Sequence, residues 1–173
     1  DILLDPAPDR GALRHALDRL QSRQPARVTL ASGDHAFRRS YRPSLKLVAL
    51  GEGPEIESVA SLCKAMRLDA TILTKGDLAL GWAPEGLAYD AWTACLLLFH
   101  DHEWELPLLE QALAGEAFFI GAQGGENAQV ARTLALAARG VGQEQIARIV
   151  SPVGLIPCCK SPRTLALSAV AQI

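Results

Sequence analysis

The sequence predicts an α/β protein, a parallel sheet with flanking helices, preceded by a small N-terminal helix and strand segment. Three observations predict it. Residues 45–73, LKLVALGEGPEIESVASLCKAMRLDATIL, read as strand, glycine turn, amphipathic helix and return strand. Two more apolar runs, Thr93 to Phe99 and Ala117 to Ile120, each stop at a polar or glycine-rich segment with a helical pattern beyond. A hydrophobic content of 49 % with only 5 % aromatics describes an Ala/Leu/Val interior, the material of buried parallel strands.

In chain order, Ile2 to Leu4 is a short extended piece, and Asp9 is placed to cap a helix running to Gln21, with Leu13, Ala16, Leu17 and Leu20 on one face. Arg27 to Ala31 and Ala36 to Tyr41 flank the turn signal Ser32-Gly33-Asp34-His35, so a hairpin is expected. Pro43 introduces the strand from Leu45 to Leu50, which stops at Gly51. The helix after it carries Ile56, Val59, Ala60, Cys63 and Met66 at helical spacing, and Asp69 to Leu73 is the return strand. Lys75 to Asp90 is a loop containing Trp82. Thr93 to Phe99 ends in His100-Asp101-His102, and Glu105 to Ala114 is a helix stopped by Gly115. Ala117 to Ile120 leads into Gly121-Ala122-Gln123-Gly124-Gly125. A long helix from Glu126 to Arg139 is expected to turn Val130, Leu134 and Ala137 inward. Gln143 to Ile149 reads as a short helix, Ser151 to Leu155 as a loop, and Pro162 opens a last helix through Ala171. Two units are expected, an N-terminal segment over 1–43 and a Rossmann-like domain over 44–173.

Composition narrows the partners. A formal charge of −2 provides no basic field, so neither nucleic acid nor an anionic membrane is an expected partner. No apolar run reaches the ~18–20 residues of a membrane span, and no signal peptide is visible. The chain starts at Asp1 rather than Met, which reads as part of a longer protein. Cys63, Cys95, Cys158 and Cys159 show neither CxxC spacing nor a disulfide framework, which points to a reducing cytoplasm.

Gly51 and Gly53 sit where a dinucleotide-binding βα turn places its glycines, with Pro54 next. The third small residue of that fingerprint is replaced by Ile56. Glu52, Glu55 and Glu57 crowd the helix N-terminus and repel a phosphate seeking the same amides. Thr74 and Lys75 stand where a ribose-binding carboxylate belongs, so NAD(P) is a doubtful ligand, with Lys75 favouring a 2′-phosphate if any. His100 and His102, two apart just past a strand end, would converge if the chain stayed extended, with Asp101 turned away. No third metal ligand accompanies them, and no metal site is assigned. Cys158-Cys159 beside Lys160 reads as two small apolar residues in a packed loop, with a thiolate favoured by the neighbouring cation as the alternative, and in neither case as metal ligands.

Gly51-Glu52-Gly53-Pro54 followed by Glu55 resembles the GAGP(D/E) turn of the XdhC/CoxI family, maturation factors of xanthine dehydrogenase and carbon monoxide dehydrogenase. The strand ending in His100-Asp101 is similar to that family's "THD" or "SHN" ending. FFIGAQGG at 118–125 resembles its "YIGxLGS" segment, and SPVGL at 151–155 with SPRTLALSAVAQI at 161–173 resembles its "PIGLDIGAxTPxEIAxSIxAEI" ending. The resemblance implies a Rossmann-like C-terminal domain of a cytoplasmic chaperone that handles molybdenum cofactor and delivers it to the apo-enzyme of a molybdenum hydroxylase. The family's separate N-terminal domain has no counterpart in these residues. The chain departs from the pattern at Thr74-Lys75-Gly76, where the family has "DDR" or "DHR", and at Glu126 and Asn127, where it has arginines. It departs again at 156–162, where "DIGAxTP" is IPCCKSP.

Two function classes stand side by side. One is a binding and delivery module, with cofactor held by Gly51, Gly53, Pro54, Lys75, His100, Asp101, Gly121 and Gly124. The other is an NAD(P)-dependent oxidoreductase using the same crevice, for which His100 and His102 are the available acid–base groups. Oligomeric state is left open, with a homodimer allowed.

Overall fold

The computed structural model of the chain describes Asp5, residues 7–32 and residues 35–173. It divides into two compact units, Asp1–Ser44 and Leu45–Ile173. In the first, Asp9 caps α1 (Arg10–Gln21), its carboxylate accepting from the amides of Gly11 and Ala12. β1 (Ala26–Ser32) pairs antiparallel with β2 (His35–Tyr41), from Ala26 opposite Tyr41 to Ser32 opposite His35. Gly33 and Asp34 of the expected turn, and the extended piece at 2–4, lie outside the described residues. The small core joins Ala16, Ala26 and Val28 to Leu20 and Leu30. Leu13 and Leu17, expected on the inward face of α1, are exposed. A two-stranded ribbon covers only a narrow stripe of a helix.

The second unit contains β3 (Lys46–Gly51), α2 (Gly53–Met66), β4 (Asp69–Thr74), β5 (Thr93–Leu98), α3 (Glu105–Ala114), β6 (Phe119–Ala122), α4 (Glu126–Ala138), α5 (Gln143–Ile146), β7 (Ile149–Val150) and α6 (Pro162–Gln172). The strands form one parallel sheet ordered β4-β3-β5-β6-β7. Counted within the sheet this is 2-1-3-4-5, a doubly wound order of Rossmann-like type with its switch point between β3 and β5. Alternation along the central strands divides two cores. Val48, Leu50, Cys95, Leu97 and Ile120 face α3 and the buried Leu136 of α4. Leu47, Ala49, Leu96 and Leu98 face α2 and α6. Both faces are covered, so β3 and β5 carry unbroken apolar runs.

Several details correct the sequence expectation. α4 does not turn Val130, Leu134 and Ala137 inward: Val130 is 54 % and Leu134 66 % exposed, and the buried pair is Arg132 and Leu136. An ion pair under the helix, described below, rotates it away from its most hydrophobic stripe. Met66 is exposed because α2 ends there, with Arg67 in a left-handed conformation at φ 53°. The helix expected over 143–149 stops at Ile146, and Ile149–Val150 adds a fifth strand beside β6. Arg148 between them donates to the carbonyls of Leu113, Gly115 and Ala117, pinning the chain against the end of α3. β6 begins two residues later than expected, at Phe119.

Candidate functional site

The C-terminal ends of β3, β5 and β6 gather three loops, and their polar groups fall into two adjoining networks. At the switch point, the Glu52 amide donates to Leu98 O at 3.0 Å, tying the β3–α2 turn to β5. The Glu52 carboxylate does not cap α2. It reaches across the switch point and accepts from the amides of His100 (3.0 Å) and Asp101 (3.3 Å), with Lys75 Nζ at 2.9 Å. Burial pushes the Glu52 carboxyl up, but the hydrogen bond from Lys75 and the two amides outweigh it and hold it below its ordinary 4.5. The amides of His100 and Asp101 at the end of β5 are thus already occupied by the protein's own carboxylate.

Lys75 is equally committed. Besides Glu52 it faces Asp101 Oδ2 at 3.7 Å and lies over the Trp104 ring, 5.1 Å from its centre, and that ring stacks on Phe99. Gly51 is buried, and a Cβ there would lie 2.5 Å from Leu98 O, so close strand packing requires glycine. Gly53 opens α2 at φ +70°, followed by Pro54 in the first turn. Glu55 is buried, its Oε2 3.4 Å from His100 Nε2 without hydrogen-bond alignment, so the pair attracts only when His100 is protonated.

His100 and His102 do not converge. The chain leaves the extended conformation after Leu98, and His102–Trp104 form a 3-10 turn capped by Asp101, whose Oδ1 accepts from the Glu103 amide. His100 therefore meets Glu55, while His102 Nδ1 lies 3.1 Å from Glu105 Oε1. Among the described residues, no group of three His, Cys, Asp or Glu side chains is placed to hold a metal ion.

The second network escapes sequence reasoning. Glu105, at the start of α3, is 0 % exposed, and Arg132, in the middle of α4, is 4 % exposed. Arg132 Nε and Nη2 both approach Glu105 Oε2 at 2.8 Å, Nη1 donates to Ser151 Oγ at 2.9 Å, and Nη2 donates to Gln123 O at 2.8 Å. Burial raises the Glu105 carboxyl, opposed by the charge of Arg132 and the hydrogen bond with His102. This lattice ties β6, α3, α4 and the Ser151 loop to one point. The only hint in the sequence is that Ala128, Arg132 and Leu136 recur four apart on one face of α4.

Above that lattice the β6–α4 turn is open. Gly124 has φ +123°, and a Cβ there would lie 2.7 Å from Ala128 Cβ and 3.2 Å from His102 Cε1, so the backbone passes where no side chain fits. Gly125 occupies the N-cap of α4 and, lacking a side chain, leaves the first-turn amides uncapped. A cavity of about 650 Å3 opens here, bounded by Gln123, Gly124, Gly125 and the loop from Pro152 to Cys159. Its size suits a small organic ligand. A groove of about 610 Å3 between α2 and α6 is built from helix residues alone, and no strand end contributes to it. Gly121, expected at the ligand, is instead buried inside β6, where a Cβ would lie 2.7 Å from Phe119 and from Val153. Cys158 and Cys159 are not a packed pair: Cys158 is exposed and Cys159 half-buried at the cavity wall.

The sheet is doubly wound, with glycine turns and a ligand-sized cavity at its strand ends, which defines an open α/β domain of Rossmann-like type. The family model described as the XdhC Rossmann domain matches residues 47–173, and the chain belongs to that family. It is 32 % identical over 139 residues to the molybdenum cofactor insertion chaperone PaoD of Escherichia coli (strain K12), covering 80 % of this chain and 42 % of that protein. Its fold resembles the crystal structure of a xanthine dehydrogenase from Bacillus halodurans, with a TM-score of 0.57 and 20 % identity over 79 % of this chain and 44 % of that one. The chain thus spans less than half the length of these relatives. Among the described residues, no helix is long and apolar enough to cross a membrane.

Proposed function

We propose that this chain is the cargo-binding domain of a cytoplasmic maturation factor that holds molybdenum cofactor and delivers it to the apo-enzyme of a molybdenum hydroxylase, such as a xanthine or carbon monoxide dehydrogenase. The observation that carries the reading is the 32 % identity with a molybdenum cofactor insertion chaperone across 80 % of the chain. The local chemistry supports it. Cargo with an anionic phosphate needs donors; both glycine turns leave the first-turn amides of their helix without a side-chain cap, but it is the β6–α4 turn that lines the cavity of about 650 Å3. The β3–α2 turn satisfies its neighbours with Glu52. We therefore place the cargo at Gly124 and Gly125, with Gly51, Gly53, Pro54, Lys75, His100 and Asp101 gathered in the adjoining network at the switch point. The Glu52 carboxylate at the β3–α2 turn, paired with Lys75, argues against NAD(P).

Two measurements test the reading together. Deleting the gene is expected to abolish or strongly reduce the resident molybdenum hydroxylase activity. The full-length protein, purified anaerobically, is expected to carry molybdenum and pterin. Undiminished hydroxylase activity in the deletion strain, together with a protein that retains no cofactor, overturns it.

A further inference from the structure

We propose that Cys158 and Cys159 form a dithiol grip for the metal end of the cargo, in the cavity that the Gly124–Gly125 turn also lines. This inference rests on the function proposed above.

The four cysteines separate by environment. Cys63 and Cys95 are buried among apolar side chains, and burial pushes the Cys95 thiol up to about 12. Their sulfurs serve packing. Cys158 and Cys159 are adjacent, accessible, and both line the cavity that also contains the open helix terminus. Thiolates are soft ligands and select soft metal centres. The wall around them is apolar, formed by Leu155, Ile156, Pro157 and Leu165, which favours compact metal–thiolate contacts over solvated ions. The cavity lining thus offers both thiols and uncapped helix amides, donors for a ligand that carries a thiophilic metal and an anionic group.

The backbone adds a second line of argument. Cys158 sits in the left-handed region at φ +57°, which L side chains rarely adopt and glycine takes without strain. The chain places a thiol at a strained site where glycine is the relaxed choice. Strain kept beside a ligand cavity points to a task for the side chain.

The coordination count is also consistent. Among the described residues no third His, Cys, Asp or Glu completes a set, so the pair does not hold a bare ion by itself. A metal that arrives with its own ligands needs only what the pair offers. On binding, each thiol releases its proton to solvent and its sulfur donates an electron pair to the metal; nothing is oxidised or reduced.

The test uses the purified chain and two probes. Phenylarsine oxide, which bridges paired thiols, is expected to bind once per chain and to protect two of the four thiols from Ellman's reagent. Cys158→Ser and Cys159→Ser each abolish that uptake. Cofactor released anaerobically from a molybdoenzyme is then offered, and bound molybdenum is measured per chain. Retention is expected to fall at least tenfold in either serine variant and in Cys158→Gly, and to stay at the wild-type level in Cys63→Ser. Cys158→Gly relieves the left-handed strain, so its urea midpoint should not drop below wild type, which separates loss of ligand from loss of fold. Equal molybdenum retention by wild type and the Cys158 and Cys159 variants overturns the dithiol grip and leaves the chaperone reading standing. Failure of the wild-type protein to retain molybdenum sinks that reading and this inference with it.

Discussion

Replacing Arg132 by Met should be among the most damaging single changes in the domain. The guanidinium holds Glu105 Oε2 through two nitrogens at 2.8 Å, Ser151 at 2.9 Å and the Gln123 carbonyl at 2.8 Å. Without it, Glu105 remains fully buried with His102 as its one side-chain partner. Breaking a buried pair in this way costs about 3–5 kcal/mol. A domain of ordinary stability has ~5–15 kcal/mol in total. With a urea slope of ~1.5 kcal/mol per molar, the midpoint should fall by about 2–3 M. The double variant Glu105→Leu/Arg132→Met removes both charges and fills the space with apolar atoms, so it should recover most of the loss. Urea unfolding followed by circular dichroism for the wild type, both single variants and the double variant closes the cycle. The reasoning fails if Arg132→Met unfolds within ~0.5 M of wild type, or if the double variant is as unstable as the two single losses added together.

Four further outcomes are expected. Gly51→Ala would put a methyl group 2.5 Å from Leu98 O, a backbone atom that cannot step aside, and should destabilise by at least ~2 kcal/mol in the same urea assay. Ellman's reagent should titrate two thiols in the folded protein and four in urea, because Cys63 and Cys95 are buried; four reactive thiols under native conditions would show that core to be open. Titration with NADH or NADPH should show no saturable binding below ~100 µM, and a low-micromolar constant, worth about −8 kcal/mol, would mean that Glu52 does not block the turn. Acid sensitivity carries two opposite signs. Glu52, held below 4.5 in the folded state, stabilises above that pH and loses its contribution as pH falls further; Glu105, raised above 4.5, contributes below that pH and loses its contribution as pH rises. Glu52→Gln should therefore flatten the acid limb of a stability–pH curve and Glu105→Gln the slope above 4.5, and an unchanged curve in both variants refutes these assignments.

Much of the architecture was legible locally. Apolar runs from Leu45 and Thr93, ended by Gly51 and by the His100 segment, mark buried strands wherever the chain folds, because both faces must exclude water. Asp9, Pro54 and Pro162 mark helix starts through the geometry of their own residues. The site was legible only as a location. Lys75, His100 and Asp101, which the sequence offered as cofactor-binding residues, do lie together at the switch point, where the Lys75 ammonium and the backbone amides of His100 and Asp101 contact Glu52. Gly51 and Gly121, offered by the sequence as cofactor-binding, sit where a Cβ would meet neighbouring atoms at 2.5 and 2.7 Å, a requirement of close packing.

By itself the sequence determined that this chain builds a doubly wound α/β domain with loops collected at its strand ends, since periodicity and glycine stops act within a few residues. It could not determine which charges are buried. Arg132 lies on a helix whose hydrophobic pattern favours Val130 and Leu134, and it turns inward because Glu105, 27 residues away, needs a counter-charge. Nor could it determine that the Glu52 carboxylate reaches across to the His100 and Asp101 amides, or that the second glycine turn shares a cavity with Cys158 and Cys159. Those outcomes belong to the tertiary structure, because the energy of a charge depends on its partners and on the water excluded around it, and both are known only after distant segments have met.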